Sequence, residues 1–301
     1  MSSPSAFRPW LEAMRLRTLP VSVAGVLAGC ACALAVGSFA WPQALICLFF
    51  AVGAQIASNF ANEYYDYRNG LDRKGREGFR RGVTEGDISP KAMLYATYGV
   101  LGFTCLLGLS LIWWGGWWLI AVGIAVAVFA VAYSTGPWPL SHHGLGDVAV
   151  LVFFGIVPVT FTAWLQAPDY EVWRLALPTG VAVGLLAVNV LIVNNYRDVD
   201  DDRSVGKHTT VVIFGRHAMS IVYLIDLIVA SILIDIIMMH TAVPLWISFV
   251  PPGFCFGRSY FCWQELRRNN GSGLNPVLKL TAMSLLITCI SMVILCAIWQ
   301  G

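Results

Sequence analysis

Charge is the scarcest ingredient of this chain. Only 12% of its 301 residues are Asp, Glu, Lys or Arg, about half the ~25% of a soluble domain. That excludes a water-soluble globular protein. The net charge of +2 is too small for a nucleic-acid partner to be read from it. Alternating apolar and polar segments are also missing, which excludes a membrane β-barrel. There are eight cysteines (30, 32, 47, 105, 255, 262, 289 and 296) but no CxxC pair, and all eight lie in apolar runs. They read as small buried hydrophobes rather than disulfides or metal ligands. No cleavage site follows Arg15 and Arg17, so the first apolar run is expected to be a span rather than a cleaved leader.

Apolar length is what the chain has in abundance: 57% of residues are hydrophobic and the mean hydropathy is +0.70. Against the ~20 residues that a helix needs to cross a bilayer, the runs predict nine spans. They cover about 18–37, 42–65, 91–112, 117–135, 145–166, 174–196, 217–239, 242–262 and 277–299. Basic residues orient them. Arg8, Arg15 and Arg17 precede the first span. Arg68, Arg73, Lys74, Arg76, Arg80, Arg81 and Lys91 follow the second. Arg197, Arg203, Lys207 and Arg216 follow the sixth, and Arg258, Arg267, Arg268 and Lys279 surround the end of the eighth. All fall on one side; only Arg174 falls opposite. The expected architecture is therefore all-α and integral to a membrane, a single domain over 1–301 with a cytoplasmic N-terminus. It divides into pseudo-halves of about 15–135 and 145–262 plus a ninth helix, 277–299. Gly25 and Gly29 in the first span read as close helix packing. Trp113, Trp114, Trp117 and Trp118 read as an interfacial aromatic belt.

Two polar stripes break this apolar pattern. Asn59, Asn62, Glu63 and Asp66 lie at i, i+3, i+4 and i+7, one face of a helix, and Gln55 extends that face deeper. Asn194, Asp198 and Asp202 repeat the pattern at i, i+4 and i+8. Each stripe ends a span on the same side, before loops of about 66–90 and 197–216. The first loop holds Gly70, Gly75, Gly78, Gly82 and Gly86, which suits a mobile cap over a cavity. Ionisable groups at a membrane boundary face a protein interior or a water-filled cavity. Facing sets of oxygen ligands suit Mg²⁺, which is usually held by few carboxylates plus substrate phosphates. Nearby cations, Arg68, Arg81, Arg197 and Lys207, would bind the remaining phosphate oxygens. The chemistry that follows is Mg²⁺-assisted ionisation of a lipid diphosphate.

The run Asn62-Glu63-Tyr64-Tyr65-Asp66-Tyr67-Arg68-Asn69-Gly70-Leu71-Asp72 resembles the first aspartate-rich motif of the UbiA superfamily of intramembrane prenyltransferases, and 194–202 resembles the second. The likeness is strongest to the branch acting on 1,4-dihydroxy-2-naphthoate, in menaquinone biosynthesis. Met14-Arg15-Leu16-Arg17-Thr18-Leu19-Pro20, Gly144-Leu145-Gly146-Asp147, Asn195-Tyr196-Arg197-Asp198 and Gly206-Lys207-His208-Thr209 add to it. The resemblance implies nine helices around a central cavity in a bacterial cytoplasmic membrane, with cytoplasmic cap loops and the site toward the cytoplasm. A polyprenyl diphosphate would ionise there, and its allylic cation would replace the naphthoate carboxylate as CO₂, giving demethylmenaquinone. The implied catalytic carboxylates are Asp66, Asp198 and Asp202. They belong to a metal set of Asn62, Glu63, Asp66, Asp72, Asp198 and Asp202. Arg68, Arg81, Tyr133, Arg197 and Lys207 are the expected diphosphate contacts, and Asn59, Asn194 and Asp147 the acceptor contacts.

The chain departs from the family pattern in three places. Glu63 stands where Asp is usual. Pro137 stands where many relatives carry a Lys, which leaves Lys207 or Arg197 to replace that cation. Leu16 stands where a Pro is often found. Two rival readings are 4-hydroxybenzoate as acceptor and a cation-coupled transporter; Asp226 and Asp235, within the seventh span, favour the latter. His142 and His143 read as a solvated loop pair, and His208 as lid surface. Asp147 either caps the fifth span or orients the acceptor.

Overall fold

The computed structural model describes residues 7–75 and 78–299, apart from the side chain of Tyr170. Arg76, one of the basic residues of the first loop, lies outside the described residues. Among those described the chain is helical, without strands.

A short helix, α1 (Arg8–Ala13), precedes α2 (Leu19–Ala35), and α3 (Trp41–Arg68) follows. Pro20 and Pro42 sit in the first turns of α2 and α3, where a missing N–H costs nothing. The first loop contains one turn, α4 (Gly82–Glu85). Helix α5 (Pro90–Leu109) is capped by Ser89, whose hydroxyl accepts the Ala92 N–H at 3.2 Å. A turn, α6 (Ile112–Gly115), leads to α7 (Leu119–Ala132). Next comes α8 (Gly146–Val150), continued by a π-helical turn over Leu151–Ile156 and by α9 (Val157–Gln166). The 35-residue α10 (Tyr170–Ser204) is the longest helix. Helix α11 (Thr210–Met239) breaks at Gly215, whose φ of 83° suits a residue without a Cβ. A turn, α12 (Leu245–Ser248), precedes α13 (Val250–Arg268), and α14 (Asn275–Ile298) ends the described chain.

A helix lies on each of the nine predicted segments. Six segments are long and apolar enough to cross a membrane; α2 and α7 are apolar but shorter. Two boundaries differ from expectation. The eighth segment begins its long helix only at Val250, because Pro251 and Pro252 fit a first turn and not a helix interior. The sixth segment runs past its expected end at 196: α10 continues to Ser204, so the second motif lies on its last two turns, as its helical spacing implies. The predicted 197–216 connection shrinks to 205–209.

Helix α10 is the axis of the packing, with 72% of its most apolar stretch buried against 17% for the segment carrying α5. It packs on α11, on α2 and on the π turn, and α2 runs beside α14. Small residues permit these approaches. A Cβ on Gly184 would lie 2.6 Å from the Leu151 carbonyl oxygen, and one on Gly29 2.6 Å from that of Val159. Gly25 meets Pro158 in the same way, so both glycines of the first span serve packing. All eight cysteines are free thiols, and all but Cys105 are buried. The result for function is positional: the polar ends of α3 and α10 emerge at the same end of the bundle.

Candidate active site

The last turns of α3 and α10 open into one cavity of about 700 Å³. Asp66, at the end of α3, is fully buried. Its Oδ2 accepts from Lys207 Nζ at 2.7 Å and from Asn62 Nδ2 at 3.2 Å. His142 Nε2 stands 3.4 Å from its Oδ1, which has no hydrogen-bond partner among the described residues. Across the cavity, Arg197 forks onto Asp198 at 2.6 and 2.8 Å. The same guanidinium donates to Asn194 Oδ1 at 2.9 Å and to Asn275 Oδ1 at 3.0 Å. Such a fork fixes both planes. Arg197 also lies 4.7 Å from the centre of the Phe79 ring, which it shares with Arg17 at 4.2 Å. Phe79 thereby ties the first loop to the N-terminal arm and to α10.

Asn62 is the junction of the first motif. Its Oδ1 accepts from Arg15 and, at 3.3 Å, from Arg81; its Nδ2 also donates to Ser134 Oγ at 3.2 Å. Arg15 is the one non-glycine residue with positive φ (54°) among the described residues. A cavity-lining side chain on backbone of that kind marks a position whose surroundings over-determine it.

Of the residues singled out by sequence, Asn59, Asn62, Asp66, Arg81, Tyr133, Asp147, Asn194, Arg197, Asp198, Asp202 and Lys207 all line this cavity. Three stand apart. Glu63 is buried, but its Oε1 accepts the Val83 N–H at 3.0 Å. The extra methylene lets it reach the first turn of α4 and hold the cap loop instead of facing the cavity. Asp72 lies 3.5 Å from Arg81 Nε and so steadies a residue that does line the cavity. Arg68, at the end of α3, is exposed. Two acceptor candidates are engaged with protein: Asn59 donates to the Met14 carbonyl at 3.0 Å, and Asn194 takes the Arg197 bond. Asp147 Oδ1 is buried without a hydrogen-bond partner.

The structure adds residues that the sequence reading passed over. His142 is not a solvated loop residue, since only 12% of its side chain is exposed and it faces Asp66. Ser141 folds that connection back, donating through its N–H and its hydroxyl to the Tyr133 carbonyl. His143 stays outside, on the Pro139 carbonyl. Ser134 and Asn275 reach the site from two further helix ends with no local spacing to mark them, and Arg15, known from the N-terminal motif, gains a partner in Asn62. Asp226 is buried in α11, but neither it nor Asp235 lines the cavity.

The donor set fits a hard divalent cation. It is all oxygen, drawn from Asn62, Asp66, Asp198 and Asp202, and one buried Asp66 oxygen lacks a hydrogen-bond partner. No three His, Cys, Asp or Glu side chains among the described residues close a metal site by themselves.

Comparison with known proteins gives a consistent result. The model of the UbiA prenyltransferase family matches residues 22–298. The chain is 38% identical over 221 residues to the 1,4-dihydroxy-2-naphthoate octaprenyltransferase of Escherichia coli (strain K12), covering 70% of each chain. It is 32% identical over 295 residues to the protein of that name from Mycobacterium leprae (strain TN), covering 95% of each. Its fold is similar to a UbiA homolog from Archaeoglobus fulgidus bound to GPP and Mg²⁺, with a TM-score of 0.67 and 14% identity, over 95% of this chain and 99% of that one.

Proposed function

The chain belongs to the UbiA prenyltransferase family, and from that premise we propose that it transfers a polyprenyl group from its diphosphate to 1,4-dihydroxy-2-naphthoate, with loss of CO₂. It is a multi-pass membrane enzyme; we place nine crossings, a cytoplasmic N-terminus and a cavity facing the cytoplasm of a bacterial inner membrane. The distribution of Lys and Arg supports that orientation.

One observation carries the reading. Carboxylates from two distant helix ends, Asp66 and Asp198 with Asp202, share a cavity with Lys207, Arg197, Arg81 and Arg15. Opposed anionic and cationic groups of this kind suit a polyanion bridged by metal. Mg²⁺, when bound, neutralises charge on the departing diphosphate. The chain's own residues bind and orient. Asp198 and the amides of Asn194 and Asn275 hold the Arg197 guanidinium for phosphate oxygens. Lys207, whose ammonium bridges to Asp66, offers its remaining hydrogens. The C1–oxygen bond of the donor breaks, and the electron pair leaves with diphosphate. The ring carbon bearing the carboxylate attacks the allylic cation. The ring–carboxyl bond then breaks, its electrons restore the aromatic ring, and CO₂ departs. The product is demethylmenaquinol, the reduced form of demethylmenaquinone. Asp147, with its unpartnered oxygen on the cavity wall, accepts a hydrogen bond from an acceptor hydroxyl. Relatives named for this naphthoate favour it over 4-hydroxybenzoate as acceptor.

The test is an assay on membranes containing the protein. Labelled octaprenyl diphosphate is offered with either acceptor, in Mg²⁺ or in EDTA. A Mg²⁺-dependent product from the naphthoate alone is expected. Product from the benzoate alone would move the enzyme to the other acceptor, and equal yields in EDTA would overturn the metal requirement.

A further inference from the structure

Buried threonines inside the helices of this fold share one habit. Thr97, Thr160, Thr179, Thr281 and Thr288 each donate to the carbonyl four residues back on their own helix. Thr209 and Thr210 depart from it. They stand at the start of α11, where no preceding turn offers a carbonyl. Thr209 immediately precedes the first helical turn, the position where a threonine hydroxyl usually accepts an N–H of that turn. Its side chain makes no such bond. Both threonines are buried, at 6% and 8% exposure, and neither hydroxyl has a hydrogen-bond partner among the described residues. Both line the polar cavity.

A third such atom, Asp147 Oδ1, belongs to the same wall. The His208 N–H donates to the His142 carbonyl at 3.0 Å. A Cβ on Gly144 would stand 2.9 Å from Ile213 Cδ1 and 3.5 Å from the His208 carbonyl oxygen. The 142–147 connection therefore lies along 208–213, which sets Thr210 beside Asp147. The Tyr133 hydroxyl overhangs this wall, 3.4 Å from where a Cβ on Gly146 would be. The other buried cavity atoms without hydrogen-bond partners, Asp66 Oδ1 and Arg81 Nε, belong to the diphosphate-binding set.

Buried polar groups are normally paired, so a wall that carries three without partners is built for a polar group of the ligand. A phosphate is unsuited to it, because Asp147 would repel the charge. A phenolic hydroxyl suits it: its proton goes to the carboxylate and its lone pairs accept from threonine. The naphthoate acceptor has two hydroxyls. The one on C1 lies beside the ring carboxylate and bonds to it internally. The one on C4 has no such neighbour and is free for the protein.

We propose that Thr209, Thr210 and Asp147 hold the 4-hydroxyl of the acceptor, and so select a ring 1,4-diol over an otherwise identical ring that lacks that group. The inference rests on the prenyl-transfer reading and assigns the Asp147 contact to one of the two hydroxyls. C4 is meta to the attacked carbon, C2, so its hydroxyl lends that carbon little electron density. The 1-hydroxyl, ortho to C2, activates it in both rings. Removing the 4-hydroxyl thus probes recognition rather than reactivity, and a site built to hydrogen-bond a hydroxyl rejects the analogue without it.

In the experiment, membranes containing the full-length protein receive Mg²⁺, octaprenyl diphosphate, 1,4-dihydroxy-2-naphthoate and a large excess of 1-hydroxy-2-naphthoate. Mass spectrometry counts the two prenylated products. Their ratio, corrected for concentration, is internal to each sample and does not depend on how much protein folds. The wild type should favour the diol by about 10²-fold or more. Thr210→Val keeps the shape and removes the hydroxyl; the preference should fall about tenfold, through slower use of the diol alone. Thr209→Val should act alike, and Thr210→Ser, which keeps the hydroxyl, should retain the preference. A wild type that uses both acids equally well overturns the inference and leaves prenyl transfer standing. A preference that neither valine variant changes overturns it too. If one valine variant does not fold, the other decides. A wild type that prenylates neither acid overturns the functional reading, and this inference with it.

Discussion

Lys207 Nζ lies 2.7 Å from Asp66 Oδ2, joining positions 141 residues apart and the two motifs into one buried pair. Both side chains are almost inaccessible, at 10% and 1%. Breaking a buried pair leaves a bare charge, which costs more than the pair is worth. Lys207→Met should therefore damage the site beyond the loss of one phosphate contact. We expect kcat/KM for the donor to fall by about 10²–10³, the scale for one fixed electrostatic partner. Steady-state rates with varied donor test this. Lys207→Arg should not rescue, because a planar fork cannot replace a compact ammonium on one oxygen. Wild-type rates in Lys207→Met would remove Lys207 from the diphosphate set.

Glu63 and Asp66 are both acidic, three residues apart and buried, yet their surroundings separate them. Glu63 holds the Val83 N–H, and Asp66 faces the cavity. Glu63→Ala should cost about 1–2 kcal/mol of stability through the lost helix-start contact. Its Mg²⁺ dependence should match that of the wild type. Asp66→Asn should lose about 10³-fold or more in rate at full Mg²⁺. Titrating activity against Mg²⁺ in both variants decides; a weakened Mg²⁺ response in Glu63→Ala would return Glu63 to the metal set.

Arg197 makes four polar contacts on three side chains and is 4% exposed. Arg197→Lys keeps the charge but not the fork. It should leave Asp198 and the two amides imperfectly paired and cost about 1–3 kcal/mol, the scale for buried acceptors that lose a hydrogen bond. A thermal shift in detergent tests this, since a residue needed only for its charge would leave the melting temperature unmoved.

The stripes were legible because a helix repeats its face every three to four residues. Asn62, Asp66, Asp198 and Asp202 could be placed on shared faces without any tertiary knowledge. Glu63 obeyed the same spacing and still left the cavity, because its longer reach found a backbone donor on the folded-back loop. His142 went the other way. Nothing beside it marks a site, and only the return of its connection beneath Tyr133 brings it to Asp66. Asn275 was hidden for the same reason, since it starts a different helix, and Arg15, legible within the N-terminal motif, carried no spacing that tied it to Asn62. The sixth span was expected to end near 196 because the charges beyond it mimic a solvated loop; α10 instead runs on to Ser204, with Asp198 and Asp202 on the cavity and Asp200 and Arg203 exposed.

Packing gives a prediction free of the chemistry. Gly184 lies on α10 where the π turn crosses it, and a Cβ there would stand 2.6 Å from the Leu151 carbonyl oxygen and 2.7 Å from Leu151 Cδ1. The carbonyl belongs to backbone and cannot rotate away. Gly184→Ala must push the π turn outward and with it the Phe153 and Phe154 rings. Overpacking of this kind costs about 1–3 kcal/mol, so a lower melting temperature is expected together with reduced activity. Gly102 on α5 is the control, because a Cβ there meets nothing within 4 Å. Gly102→Ala should be neutral or stabilise by up to about 1 kcal/mol, through the better helix propensity of alanine. Equal melting temperatures for the two variants would show that α10 and the π turn are not in close contact at Gly184.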